Sequence, residues 1–533
     1  MGALTLKSFP FELRGWDIEK FESLDPTDGF GTQTRVYVSK DLIVQIEPDY
    51  DLQIPNTWLS DKGRQFFDGI FSIWESNKCH KKTLTLEKQS WLTILKSMIK
   101  VLYIFDQSNR QKSKSYFFTL IFENLSSEIL SLLVVISQNY SFLKVRRAEN
   151  FRLNNDLESE FQLNLGTNGI NLKESTLCLL LAVHPRYEGY HLNLSLRQRT
   201  LKGGFKCLAI GSLANLTFPV SFLGSNLNVV KTINEGNNLT CQDLKNAKKP
   251  ILILNTEGFK RNDNQNSIET LKILKHSNIF NKTWNLLNPS LTETGVHALH
   301  PFLPVSSEDL TNFSSLYFLN VTVNNIPNLK LITALKLLAV IPRNPVIKKA
   351  FFDQNNQKNV NFTNYNKNNG LNRYFYLPTN MFYENDETFI STGGLIKKTT
   401  KLIFDKKTKN NWQILRRFFK EFKNQLSFLS TKDNNILFFN LEKIADFRNY
   451  INFQYYATRN LTKLNFYLNL KNYPFSLGSK TVAFRPKIVK VNNTKLKYWL
   501  DDFFNGGKDD YSQNSLIMSN CSKILRLELT NFF

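Results

Sequence analysis

At 533 residues the chain exceeds the roughly 250 to 300 residues at which single hydrophobic cores stop growing, so two or three packed units are expected. Hydrophobic residues at 42% and charged ones at 21% argue against extensive disorder, and no apolar stretch reaches the roughly 18 residues of a membrane helix. Sixty-eight Lys and Arg against 45 Asp and Glu give +23, which raises nucleic acid or anionic lipid as partners.

That charge is spread along the chain, whereas a nucleic-acid footprint clusters on one face with interleaved aromatics. Lys outnumbers Arg and comes with abundant Asn, Phe and Ile, the set that A+T-rich codons encode. The basic excess therefore points to an organellar genome rather than to a ligand.

The start, Met1-Gly2-Ala3-Leu4-Thr5-Leu6, departs from a myristoylation signal at Leu6, and Glu12 and Asp17 come too early for an Arg-rich, acid-poor transit helix. Residues 1–75 read as a small β-rich module: Trp16 to Asp25, a strand pair around Val36 to Val38 and Leu42 to Ile46, then Trp58-Leu59-Ser60-Asp61-Lys62-Gly63-Arg64. Such a module would suit a metal cluster, yet it holds no cysteine, and iron-sulfur clusters need thiolates. Elsewhere Cys79, Cys178, Cys207, Cys241 and Cys521 stand far apart with no CxxC, which argues against a zinc site and a disulfide framework and fits a reducing compartment.

Residues 76–401 read as an α/β region in which, from Tyr116 onward, short apolar runs alternate with longer mixed segments, the pattern of a parallel sheet covered by helices. Strands are predicted at Tyr116 to Phe122, Thr176 to Val183, Phe205 to Ile210, Pro250 to Leu254, Ser315 to Val321, Leu337 to Ile341 and Arg373 to Leu377. Ser126 to Ser137 and Ile268 to Leu274 have helical apolar spacing. Tyr187 to Arg199 is ambiguous, because Leu192, Leu194 and Leu196 alternate as a strand would; the crossover between two parallel strands makes it a helix. Asn234 to Asn238 and Asn355 to Asn372 read as loops. Residues 402–533 form a helical and irregular C-terminal region, with a helix over Asn411 to Leu429 carrying Trp412, Leu415, Phe418, Phe419 and Phe422 on one side.

Ligands of open parallel sheets sit beyond the carboxyl ends of strands, which singles out the turn His184-Pro185-Arg186. Arg186 suits a phosphate or carboxylate, but neither GxGxxG nor GxxxxGK[ST] accompanies it, and an Arg pairing with a neighbouring loop is the simpler account. His297 and His300 lack the third and fourth donors of a metal site, with Glu293 the nearest acid. Asp501-Asp502 and Asp509-Asp510 read as solvated tail residues, and Cys178 and Cys207 as small apolar side chains inside buried strands. No nucleophile, base and orienting group assemble, so no catalytic, cofactor-binding or metal-binding residue is assigned.

Taken in order, several segments resemble the C-terminal part of the largest iron-sulfur subunit of respiratory complex I, NADH:ubiquinone oxidoreductase. Glu22-Ser23-Leu24-Asp25 is similar to that family's "TESIDVMDA", and Trp58 to Ile70 to its "EWISDKTRFAYDGL". Leu180 to Arg199 resembles "LLGTNPRFEAPLLNARIRK". Leu377 to Lys401 keeps Pro378, Glu384, Thr388 and Thr392 of another family segment, and Asp510 to Cys521 resembles its short closing motif. Ser391 stands where the family has Asn, and Gly393-Gly394-Leu395 where it has Glu-Gly-Arg.

The resemblance implies an α/β, molybdopterin-oxidoreductase-like fold with Rossmann-like parallel-sheet layers and no molybdenum cofactor. It implies a structural, cofactor-free subunit in the peripheral arm, on the matrix side of the mitochondrial inner membrane. Met1 falls near the boundary with the family's ferredoxin-like part, so a divided subunit is expected. The iron-sulfur clusters would then lie in a partner chain, with other peripheral-arm subunits alongside and neither nucleic acid nor a membrane span involved. An active molybdopterin-dependent oxidoreductase and a basic organellar nucleic-acid-binding protein are the competing readings.

Overall fold

The computed structural model describes residues 13–40, 42–49, 58–69, 118–139, 143–148, 175–211, 216–255, 264–276, 284–288, 290–299, 302–306, 315–321, 338–341, 373–376, 379–403 and 409–427, with isolated residues at 95, 96, 99, 172, 174, 280, 496, 515, 517, 518 and 520. The predicted loop Asn355 to Asn372, His300, the acids Asp501, Asp502, Asp509 and Asp510, and Cys79 and Cys521 lie outside them.

The module opens with an antiparallel meander of β1 (Glu19–Leu24), β2 (Gln33–Ser39) and β3 (Leu42–Pro48). Alternation of buried and partly exposed residues in β2 and β3 gives the sheet one apolar face. That face does not close a core alone: Val36, Ile43, Ile46, Leu59 and Phe66 pack with Met381, Tyr383, Leu402 and Ile403 from far along the chain. Residues 61–69, within the Trp58 to Ile70 segment, are helical.

Two five-stranded parallel sheets follow, and one is threaded through the other. The outer sheet begins with β4 (Phe118–Phe122), helix α1 (Ser127–Asn139) and β5 (Leu143–Arg147). The inner sheet then forms completely from β6 (Leu177–Leu181), β7 (Lys206–Ile210), β8 (Ser221–Gly224), β9 (Ile251–Asn255) and β10 (Trp284–Leu287), in the order β10-β9-β6-β7-β8. The chain afterwards returns to the outer sheet with β11 (Ser315–Leu319), β12 (Leu338–Ile341) and β13 (Arg373–Tyr376), in the order β13-β12-β11-β4-β5.

Every residue of β6 is buried, as is every residue of β9, which is what a central strand covered on both faces requires. The edge strand β8 leaves Ser221 and Phe222 exposed. The crossovers of the inner sheet include α2 (Pro185–Glu188), α3 (Tyr190–Leu201), α4 (Asn228–Asn234), α5 (Thr240–Asn246) and α6 (Asn264–His276). Helix α7 (Leu291–Leu299) leaves β10 and packs on α1, tying the two sheets together. A short antiparallel hairpin, β14 (Thr388–Ile390) with β15 (Ile396–Lys398), precedes α8 (Asn411–Ser427).

Each of the seven predicted strands is present, its ends displaced by at most two residues, and Tyr187 to Arg199 is helical. The expected parallel-sheet layers are two five-stranded sheets, and apolar periodicity identifies their strands but not which strands are neighbours. The ambiguous helix is also divided: Pro185 starts α2 at its first position, and Gly189 separates α2 from α3.

Candidate functional site

Chain order reverses direction in the inner sheet at β6, with β7 on one side and β9 on the other. The carboxyl ends of these strands define the crevice in which doubly wound sheets place ligands. Ala182 leaves β6 at φ 54°, a left-handed conformation costly for a residue with a Cβ, and its N–H donates to Ile210 O at 2.8 Å. Gly211 leaves β7 at φ 140° directly alongside. Leu496, 4% exposed, crosses the strand ends: its N–H donates to Ser225 O at 3.0 Å, and its Cδ1 lies 3.7 Å from where a Cβ on Gly211 would stand.

His184 does lie at this turn, as the sequence places it, but it is buried rather than presented. Its N–H donates to Glu188 Oε2 at 2.8 Å, which caps α2. Burial lowers its pKa to about 3, with the Arg186 charge adding to the effect, so the imidazole is neutral at physiological pH. Arg186 itself is exposed. His297 falls within α7, and Cys178 and Cys207 are register partners on β6 and β7 inside the core. Among the described residues no three His, Cys, Asp or Glu are grouped so as to hold a metal ion.

The polar cluster that sequence reasoning missed is the loop from Asp25 to Thr32, between β1 and β2. Asp25 Oδ1 accepts the N–H and the hydroxyl of Thr27, at 2.9 and 2.7 Å. Thr32 donates its hydroxyl proton to Asp28 Oδ2 at 2.6 Å, and Tyr190 donates to the same hydroxyl at 2.6 Å. With its one proton committed, Thr32 Oγ1 can only accept from His191 Nε2 at 2.9 Å, so His191 carries its proton on Nε2.

The loop is wedged between elements of both halves of the chain. Leu291 N–H meets Pro26 O at 3.5 Å, while Thr392 donates both its N–H and its hydroxyl to Gly29 O, at 2.7 and 2.8 Å. A Cβ on Gly29 would stand 1.9 Å from Asn288 O, so only glycine fits. Phe30 enters the core with Leu180, Leu192 and Leu287. The sequence signal is visible afterwards: two acids, two threonines and two glycines within Asp25 to Thr32 mark a turn whose polar groups must be satisfied internally.

A parallel sheet that reverses direction at β6, with a crevice at the carboxyl ends of its central strands, defines a doubly wound α/β protein. A family model described as molybdopterin oxidoreductase matches residues 86–421, and the chain belongs to that family. It is 29% identical over 298 residues to the NADH-ubiquinone oxidoreductase 75 kDa subunit of Reclinomonas americana, covering 54% of this chain and 43% of that protein. It is 25% identical over 294 residues to the mitochondrial NADH dehydrogenase (ubiquinone) iron-sulfur protein 1 of Solanum tuberosum, covering 54% and 38%. A subunit of the NADH-quinone oxidoreductase of Rickettsia bellii is 26% identical over 294 residues, covering 54% and 41%. The match thus spans less than half the length of each relative.

A pterin dinucleotide carries phosphates and a heterocycle that need donors and cations. Leu496 lies across the strand ends and His184 is buried and neutral, which leaves Arg186, exposed at the same turn, as the described cation there; a lone guanidinium without a glycine-rich cradle does not suit the group.

Proposed function

We propose that the chain is a structural subunit of respiratory complex I that holds no pterin cofactor and supports a cluster-bearing companion in electron transfer from NADH to ubiquinone. The likeness to the 75 kDa subunit and its counterparts supports the assignment to that complex. The observation that supports the scaffold role is the buried Leu496 lying across the strand ends, bonded to Ser225 O and set beside Gly211 at the end of β7. Iron-sulfur clusters require sets of thiolates, and five scattered cysteines do not supply one, so the clusters are held outside this sequence.

Its place is the peripheral arm, on the matrix side of the mitochondrial inner membrane. No described helix is long and apolar enough to cross a membrane, and the A+T-biased composition suits an organellar genome. The chain would bury one flank of its companion and keep water from the clusters, whose potentials depend on burial and hydrogen bonding.

Affinity isolation of the tagged chain from its native membranes, followed by sequencing of the companions and elemental analysis, tests the proposal. A cysteine-rich, ferredoxin-like partner with iron and without molybdenum or tungsten is expected. Stoichiometric molybdenum or tungsten on this chain overturns the scaffold role; salt-sensitive RNA in place of complex I subunits overturns the assignment.

A further inference from the structure

Positive charge that is scattered along the sequence is gathered by the fold at the amino ends of β6, β7 and β9, where three segments meet. Thr176 donates its N–H to Lys248 O at 3.1 Å, its hydroxyl accepts the Lys248 N–H at 2.9 Å, and its carbonyl accepts the Lys206 N–H at 2.9 Å. Arg199, in the last turn of α3, binds the carbonyls of Leu172, Ser175 and Gly203. The segments are thus held by backbone groups and one arginine, which leaves the lysines of this face free of any structural duty in joining them.

Among the described residues of 172–176, 199–206 and 243–249, six basic side chains accompany two acids, and both acids are engaged. Lys206 Nζ lies 2.5 Å from Asp243 Oδ2, and Lys249 pairs with Glu174. Lys202, Lys245 and Lys248 remain, all exposed and with no ion pair among the described residues. The carboxyl ends of α3 and α5 carry about half a negative charge each, which accounts for one of these lysines and not for three. Beside them Leu201, the last residue of α3, is 77% exposed. Gly203 and Gly204 then turn the chain at φ 78° and 64°, with no atom within 4 Å of where a Cβ would stand, so this corner projects from the surface.

We propose that this face docks an acidic segment of a neighbouring protein subunit, whose carboxylates pair with Lys202, Lys245 and Lys248 around the apolar contact of Leu201. The chain's own Asp243 and Glu174 show the chemistry that fits, a carboxylate against an exposed ammonium, and lysines as mobile point charges accept acids at irregular spacing. Single-stranded RNA fits less well, because it needs open aromatic platforms; Phe205, the one aromatic of these segments, is half-buried under the Arg199 guanidinium. An anionic bilayer needs a second anchor beside the basic charge, and a single leucine does not supply one. The proposal rests on the chain's place in a multi-subunit assembly, but not on which companion carries clusters.

Carbodiimide cross-linking of the affinity-isolated native assembly tests it, since this reagent joins an amine only to a carboxylate already in contact with it. Amide links from Lys202, Lys245 or Lys248 to Asp or Glu of one companion are expected, and high salt should suppress them. Companions present with these lysines unlinked, or linked only within the chain, overturn the proposal and leave the assignment to the complex standing; a chain isolated without companions overturns both. The variant Lys202→Glu/Lys245→Glu/Lys248→Glu should then hold the linked companion about tenfold more weakly at low salt, while Lys20→Glu/Lys398→Glu/Lys420→Glu, with the same change of net charge at exposed lysines elsewhere, should not. Equal weakening in both variants reduces the effect to overall charge. Binding of the full chain to phosphatidylglycerol vesicles or to RNA that only the first variant abolishes, with no cross-linked companion, gives the face a different partner and likewise sinks the proposal.

Discussion

The Asp25 carboxyl lies in the β1–β2 loop with its Oδ1 hydrogen-bonded to Thr27 and its Oδ2 pressed against Gly63, where a Cβ would come within 2.2 Å. Burial first, and the Asp28 charge second, push its pKa from 3.8 up to about 7. The folded chain thus keeps the proton where the unfolded chain has already lost it. Stability contributed by the protonated form is complete below about pH 4, declines as the pH rises, and is gone above about pH 7. Asp25→Asn keeps an acceptor for Thr27 and removes the titration. Its unfolding free energy at pH 8 should exceed that of the wild type by about 1–3 kcal/mol, under a ceiling of about 4 kcal/mol set by the shift. The advantage should vanish toward pH 4. Urea denaturation at several pH values measures this; an equal gain at pH 4 and pH 8 would assign the effect to packing instead.

Helix α3 shows how one side chain fixes an element. Arg199 donates from Nε, Nη1 and Nη2 to the carbonyls of Leu172, Gly203 and Ser175, at 3.1, 2.7 and 2.9 Å, and its guanidinium lies 5.2 Å from the centre of the Phe205 ring. The planar fork thereby joins the end of α3 to the approaches of β6 and β7. Arg199→Ala should cost about 2–4 kcal/mol, and Arg199→Lys should recover little, since an ammonium cannot span three diverging carbonyls. Thermal denaturation of both variants provides the check, with full recovery by Lys contradicting the account.

At this same scale the sequence is only partly legible. Strands β6, β7 and β9 announce themselves as short apolar runs. By contrast β5 alternates Leu143 and Val145 with Lys144 and Arg146, and the three-residue β14 and β15 are too short for periodicity to register. The His184 turn is found because it follows a readable strand, whereas the Asp25 to Thr32 loop acquires meaning only through partners such as Thr392 and Tyr190, which no local pattern can supply.

Over the whole molecule, the two parallel sheets differ in how they depend on distant chain. The inner sheet is contiguous, from Leu177 to Leu287, while the outer one joins β4 and β5 to β11, β12 and β13 across that entire insertion. Its central pairing, β4 with β11, sets Leu120 opposite Tyr317, both buried. Loop closure makes such long-range pairing the costlier contact to form, so a cavity there should be felt on both sides of the insertion before it reaches the inner sheet. Leu120→Ala should destabilise the outer sheet by about 2–5 kcal/mol. Native-state hydrogen exchange should then show β11 amides losing protection together with those of β4, while β6 and β9 remain protected. Because α7 rests on α1, some loss must also appear in β10, the strand that leads into α7. Uniform loss across β6, β9 and β11 would mean instead that the α1–α7 contact binds the two sheets into one cooperative unit, with the inserted sheet unable to outlast the one that surrounds it.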